Sequence, residues 1–170
     1  GSAYVFVARL QQGDPCTPAG IPCQSGNCVD GVCCDRTCGG GSLTDCQACS
    51  VAAGADADGT CGPLRADFAP SVVCRPSGGV CDIAETCIAS STFCPADAFL
   101  PGRVECRPAA GDCDLPETCT GSSAYCPRDA LRPTSWECRP SAGTCDVAEG
   151  CPGDAVACPP DAFRPSTFQC

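Results

Sequence analysis

The chain has 170 residues and a formal net charge of −10, and its ten basic residues are all arginine. It contains 22 cysteines but only nine aromatic residues, so hydrophobic burial alone cannot offset the conformational entropy lost on folding. The charge disfavours nucleic acid and anionic membranes as partners, and no apolar run is long enough to insert into a membrane. Without His, Lys or Met, no nucleophile–base pair is present, and we predict that the chain is not an enzyme.

The cysteines suit disulfides better than a metal thiolate cluster. CQAC at 46–49 is the only C-x-x-C motif, and no second one and no histidine completes a zinc set. Each disulfide that closes a loop of about 15 residues stabilises the fold by roughly 3 kcal/mol. Because disulfides persist in oxidising compartments, we expect an extracellular or cell-surface protein.

The N-terminal half differs from the rest of the chain. Residues 1–15 begin with the apolar, β-favouring run SAYVFVARL, which predicts one strand followed by a linker. Residues 16–73 form a cysteine-rich module, with nine cysteines between Cys16 and Cys61 among Gly, Pro and Asp. This composition predicts turns and short hairpins.

From Cys74 onward the sequence is a tandem repeat, in which the cysteines follow the pattern C-x6-C-x5-C-x6-C-x11 three times without an insertion. The units are 74–105, 106–137 and 138–169, and residue 170 begins a fourth. We expect a small disulfide-rich fold with little regular secondary structure: short β-hairpins, single helical turns and an elongated tandem array. The apolar positions predicted to pack unit against unit are Val72, Val104, Trp136, Phe168, Phe99, Leu131 and Phe163.

The string CRPAAGDCDLPETCTGSSAYCPRDAL (106–131) resembles the disintegrin domain of ADAM proteases and snake-venom metalloproteinases. GNCVDGVCCDRTC (26–38) is similar to the double-cysteine segment of those domains, which carry the repeated loop once rather than three times. GSAYVFV resembles the end of an FG-GAP repeat of an integrin-α propeller, which implies that a propeller precedes this segment.

The disintegrin resemblance implies a disulfide pairing. It gives Cys74–Cys94, Cys106–Cys126 and Cys138–Cys158 within repeats, and Cys33–Cys87 to the double-cysteine segment. It also implies that the cysteine at each loop tip bonds a downstream partner, which in a tandem array gives Cys81–Cys119, Cys113–Cys151 and Cys145–Cys170. Pairing within each short loop, as in Cys81–Cys87, also satisfies parity and stays open as an alternative.

The motif C-D-x-x-E-x-C at 81–87, 113–119 and 145–151 supports two hypotheses. In the first, the Asp caps one helical turn and the Glu reaches back to it. The second follows from the resemblance, which implies about one calcium ion per repeat. Its ligands would be Asp82, Ile83, Glu85, Asp97 and Ala98 in the first repeat; Asp114, Leu115, Glu117, Asp129 and Ala130 in the second; and Asp146, Val147, Glu149, Asp161 and Ala162 in the third. Calcium is favoured because a cap does not explain the third acid.

For Arg75, Arg107 and Arg139 we expect intramolecular salt bridges to neighbouring acids, and contact with a partner is the alternative. We predict an extracellular, calcium-binding, disulfide-stapled rod of a larger secreted or surface protein, structural or adhesive in role. One alternative is a receptor-binding disintegrin module that presents the loop tips 78–80, 110–112 and 142–144. Another is a subunit of a self-assembling fibre. The partners expected are therefore another protein or further copies of the chain.

Overall fold

The computed structural model describes residues 8–169, apart from the side chain of Leu43. Most of the predicted N-terminal strand and the predicted partner Cys170 lie outside the described residues. Over 8–15, the chain contributes isolated bridges, Leu10 to Cys23 and Pro15 to Val32, instead of a strand. Within the described part, no helix has the length and apolar character needed to cross a membrane.

The fold consists of short two-stranded antiparallel sheets and isolated 3-10 turns. The strands are β1 (Asn27–Val29), β2 (Val32–Cys34), β3 (Gln47–Ala48), β4 (Gly62–Pro63), β5 (Val73–Arg75), β6 (Glu85–Thr86), β7 (Glu105–Arg107), β8 (Glu117–Thr118), β9 (Glu137–Arg139) and β10 (Glu149–Gly150). They pair two by two in this order, β1 with β2 and so on to β9 with β10. The 3-10 turns are Cys38–Gly40, Leu43–Asp45, Val51–Ala53 and Ala69–Ser71. The predicted absence of long helices holds over the described residues.

The chain forms two compact units, the first made of Gly1–Ser77 with Ile83–Ala98 and the second of Gly78–Asp82 with Phe99–Cys170. In the first unit, β1 and β2 are joined by Asp30 and Gly31, whose φ angles are 52° and 80°. Two successive left-handed residues are typical of the tight hairpin turn that matches the twist of paired strands.

The first unit contains two small clusters of buried residues. One consists of Val29, Val32, Cys34, Cys38, Cys49 and Cys61. The other consists of Cys46, Ala48, Ala55, Leu64, Ala69 and Cys87. Most members of the first cluster are half-cystines, so disulfides and hydrophobic packing stabilise the same part of the first unit.

The repeats share one backbone plan, shown here for the second. Strands β7 and β8 pair with a register shift between Glu105 and Arg107. Asp114 forms a bridge with Leu131, and the amide of Cys119 donates to the carbonyl of Val104 over 2.8 Å. The third repeat has the same bridge and the same hydrogen bond at the equivalent positions.

The apolar positions predicted to pack unit against unit are not buried alike. Val72, Val104, Phe99 and Leu131 are partly buried, and Val72 packs against the second buried cluster of the first unit. Trp136, Phe163 and Phe168 are exposed. The guanidinium carbon of Arg132 lies 4.2 Å from the centre of the Trp136 ring, and that of Arg164 lies 4.5 Å from the Phe168 ring. An arginine therefore covers the rings of Trp136 and Phe168, a cation–π arrangement that tolerates contact with water.

Ten disulfides join described residues, and none of the described cysteines is a free thiol. Those of the repeats are the pairs that the resemblance implies: Cys74–Cys94, Cys106–Cys126, Cys138–Cys158, Cys81–Cys119 and Cys113–Cys151. The alternative pairing Cys81–Cys87 is wrong, because both cysteines bond other partners. Cys145 is also disulfide-bonded, and its predicted partner Cys170 lies beyond the described residues.

The predicted bridge Cys33–Cys87 is wrong, because Cys87 bonds Cys46 and Cys33 bonds Cys23. Cys33 and Cys34 are successive residues of β2, and successive side chains of a strand point to opposite faces. Cys33 therefore bonds Cys23 on one face and Cys34 bonds Cys49 on the other, both within the N-terminal module. The remaining N-terminal bridges are Cys16–Cys28 and Cys38–Cys61.

Candidate cation site in the repeats

The hairpin of the second repeat places an arginine opposite a glutamate. Arg107 on β7 is the register partner of Glu117 on β8. Its Nη1 donates to Glu117 Oε2 over 3.0 Å and to Asp129 Oδ1 over 2.8 Å. Its Nη2 donates to the carbonyl of Pro127 over 2.9 Å, which fixes the guanidinium at the C-P-x-D segment. We call this group of Arg, Glu and Asp the arginine clamp.

The other two repeats contain the same clamp. Nη1 of Arg75 donates to Glu85 over 2.9 Å and to Asp97 over 3.2 Å. Nη1 of Arg139 donates to Glu149 over 3.0 Å and to Asp161 over 3.4 Å. The predicted intramolecular salt bridges of the three arginines are therefore confirmed. Each arginine bonds two carboxylates, whereas the prediction was of one neighbouring acid.

The glutamate of each clamp also accepts a hydrogen bond from the backbone of the C-P-x-D-A segment. Glu117 is 6% exposed, and its Oε1 accepts from the amide of Ala130 over 2.8 Å. Glu85 and Glu149 accept in the same way from Ala98 and Ala162. The predicted capping box is wrong in this respect, because the glutamate lies on a strand and bonds a segment well beyond its own loop.

The aspartate that follows each tip cysteine caps the loop tip, which is a turn and not a helix. Asp114 is 1% exposed, with Oδ2 accepting from the amide of Ala110 over 2.6 Å and Oδ1 from that of Leu115 over 2.9 Å. Asp146 makes the equivalent bonds with Ala142 and Val147. Asp82 accepts from Gly78 over 2.5 Å. Because these backbone amides are uncharged, they leave the negative charge of the carboxylate in place.

The structure brings together part of each predicted calcium set. In the third repeat, Arg139, Asp146 and Asp161 line one open cavity of about 780 Å³. The first set is divided between the compact units, since Asp82 belongs to the second and Glu85 and Asp97 to the first. The predicted carbonyl ligands Ala98, Ala130 and Ala162 each accept from an amide over 3.1 Å, donated by Ile83, Leu115 and Val147.

The charges of the second repeat fit a divalent cation. Arg107 bonds Glu117 and Asp129, which leaves an excess of one negative charge in the clamp, and Asp114 is a further carboxylate of the same repeat. Two of these acids are buried, where an uncompensated charge is costly. Carboxylate and carbonyl oxygens are the ligands that calcium prefers. Because Arg107 already bonds Glu117 and Asp129, an ion here would compete with it for the same oxygens.

The close groups of sulfur atoms in the described part do not form a thiolate metal site. Cys81, Cys106 and Cys119 have sulfur atoms within 4.8 Å of one another, as have Cys113, Cys138 and Cys151. Every one of these cysteines is in a disulfide. Thiolate ligation is therefore excluded for these two groups, and each marks a place where two bridges pack together.

Over the described residues, ten disulfides, five short antiparallel hairpins and an arginine clamp that recurs in every repeat define a disulfide-rich protein of tandem cysteine-rich repeats. Comparison with known proteins adds no closer assignment. No protein-family model matches the chain, and neither the curated proteins nor the solved structures contain a match. The class therefore rests on the chain's own sequence and fold.

Proposed function

We propose that this chain is a calcium-binding spacer of an extracellular protein, built from disintegrin-like repeats. The observation that carries the proposal is the arginine clamp of each repeat, where one guanidinium bonds two carboxylates. In the third repeat a further acid, Asp146, lines the same cavity as Arg139 and Asp161. An acidic cluster that served only for solubility would lie on the surface. Here Asp114 and Glu117 are buried in the second repeat, and Asp146 and Glu149 in the third.

The disulfides support an extracellular location. The described chain contains ten bridges and two small buried clusters, so its stability depends on cross-links that reducing compartments do not maintain. The disintegrin assignment is supported by the pairing within repeats, where the leading cysteine bonds the cysteine before proline in all three units.

The spacer role is supported by the connections between successive repeats of the second unit. Cys81 bonds Cys119 and Cys113 bonds Cys151, each over a sequence separation of 38, which is longer than one repeat. Each bridge therefore joins one repeat to the next. In the spacer proposal, calcium neutralises the excess charge of each repeat, and the bridges hold consecutive repeats in a fixed order.

Calorimetric titration of the oxidised chain with calcium tests the proposal directly. We expect about three ions per chain, with dissociation constants of about 10⁻⁴ to 10⁻³ M, as is typical of extracellular modules. Magnesium should bind much more weakly, because an irregular site with backbone carbonyls fits its strict octahedral geometry poorly. The absence of calcium uptake at millimolar concentrations would show that the arginine clamp alone neutralises the acids.

A further inference from the structure

Each repeat has a glycine two positions before its tip cysteine: Gly79, Gly111 and Gly143. For the first two, the reason is a close approach of another backbone. A methyl group on Gly79 would overlap the carbonyl oxygen of Ala124, and one on Gly111 would overlap that of Val156. Neither glycine has a positive φ angle, so the requirement is one of space and not of backbone conformation.

These contacts belong to an interface between successive repeats. The amide of Cys81 donates to the carbonyl of Ala124 over 3.0 Å, and the amide of Cys113 donates to that of Val156 over 2.9 Å. In both cases the tip of one repeat contacts the loop that precedes the fourth cysteine of the following repeat. We call this loop, 122–126 in the second repeat, the docking loop.

The third tip has the same glycine and a different environment. No atom of the described residues lies within 4 Å of a methyl group placed on Gly143. Gly143 instead lines the open cavity, with Ala142 and Thr144 beside it. The sequence thus has a glycine here that its described surroundings do not require.

We infer that the tip at 142–144 is a docking site for the docking loop of a further repeat of the same kind. The two interfaces already present define the occupant: a backbone segment whose carbonyl oxygen approaches the glycine, from a unit that follows the third repeat in the same tandem order. The continuity of the interface carries the inference, which does not depend on calcium.

The test extends the full chain by one unit. A copy of residues 107–137 is added after Cys170, so that Cys170 becomes the leading cysteine of a fourth repeat. The copied tip cysteine is replaced by serine, which keeps the number of cysteines even. After oxidative refolding, peptide mapping should show Cys145 bonded to the copied Cys119 and Cys170 bonded to the copied Cys126.

Alanine substitution of the glycine tests the interface itself. Gly143→Ala should leave the thermal stability of the 170-residue chain unchanged. Gly111→Ala should lower the thermal stability, because the added methyl group would overlap the carbonyl oxygen of Val156. In the extended chain, Gly143→Ala should reduce the yield of the Cys145 bridge to the added unit about tenfold, since overlap with a packed backbone is costly. Gly62→Ala, at a position with nothing within 4 Å and no positive φ, is the matched control.

Three results would overturn the inference. In the first, Cys145 of the extended chain does not bond the added unit. In the second, Gly143→Ala has the same effect with and without that unit. In the third, the parent chain forms dimers in sedimentation experiments that Gly143→Ala dissociates, which would make a second copy the occupant.

Discussion

Arg107 and Glu117 face each other across the two-stranded sheet of the second repeat, joined by a 3.0 Å bond from Nη1 to Oε2. The guanidinium is partly exposed, whereas the carboxylate is buried. The same guanidinium bonds Asp129, whose side chain is about half exposed, over 2.8 Å. Asp129 is therefore the member of the clamp that can be changed with the least effect on the buried hydrogen bonds.

Replacing Asp129 with Asn should remove one of the three calcium ions. The substitution removes a charged ligand but leaves the Asp114 cap and the bond from Ala130 to Glu117 in place. Calorimetry should show uptake falling from about three ions to about two. Glu105→Gln, an exposed acid of the same hairpin, is the control and should retain all three. Equal uptake by Asp129→Asn and the parent chain would mean that these acids do not bind calcium.

Replacing Arg107 with Gln should make the second repeat more dependent on calcium. Without the guanidinium, the buried Glu117 loses its cationic partner, which costs about 3 kcal/mol for a buried pair and less here because the arginine is partly exposed. Calcium would then have no competitor for the same oxygens. We expect a lower melting temperature without calcium and a larger increase on adding millimolar calcium than in the parent chain.

The result of that experiment also tests whether the ion and the arginine share ligands. If calcium raises the melting temperature of Arg107→Gln and of the parent by the same amount, the ion binds away from the clamp. Arg103→Gln, which removes an exposed arginine next to the same hairpin, controls for the change in net charge.

Replacing Cys46 with Ser should destabilise the first unit. The Cys46–Cys87 bridge spans a sequence separation of 41, and a loop of this length is worth about 4 kcal/mol in the chain-entropy treatment. Cys46 and Cys87 also lie in the same buried cluster, so the loss of packing adds to the effect. Denaturant unfolding with a probe in the first unit gives the change, and peptide mapping of the parent should recover Cys46 linked to Cys87. A peptide containing Cys33 linked to Cys87 would contradict the structure.

Thiol titration of the denatured, unreduced chain should find at most two free thiols. The even number of cysteines and the bridges of the described part both lead to this result. Ten or more reactive thiols would be incompatible with a fold that depends on disulfides.

The repeats were more predictable from sequence than the N-terminal module. The regular cysteine spacing, together with a family resemblance, gives Cys106–Cys126 and Cys113–Cys151 because the same pattern occurs three times. The module at 16–73 occurs once, and parity alone allows many pairings among its cysteines. Cys46, the partner of Cys87, has a left-handed backbone with φ 63°, for which the local sequence gives no signal.

The acids of the repeats show where local patterns give incomplete information. The pattern D-x-x-E is typical of a helix start, but Glu117 belongs to a strand that pairs with β7. The sequence indicates that Arg107 bonds a neighbouring acid. It does not indicate that two acids bond it, because Glu117 and Asp129 come together only when the Cys106–Cys126 loop closes.

The two bridges between repeats determine how the second unit responds to a pulling force. Cys81 and Cys151 are far apart along the chain, but the shortest covalent path between them uses two disulfides and the short segment from Cys113 to Cys119. Tension applied across these residues would therefore pass through the CDLPETC segment. The segments that the disulfides bypass would carry no tension and would not extend. Unfolding would lengthen this part of the protein very little until a disulfide was reduced. Its extensibility is controlled by thiol chemistry and not by the stability of the fold.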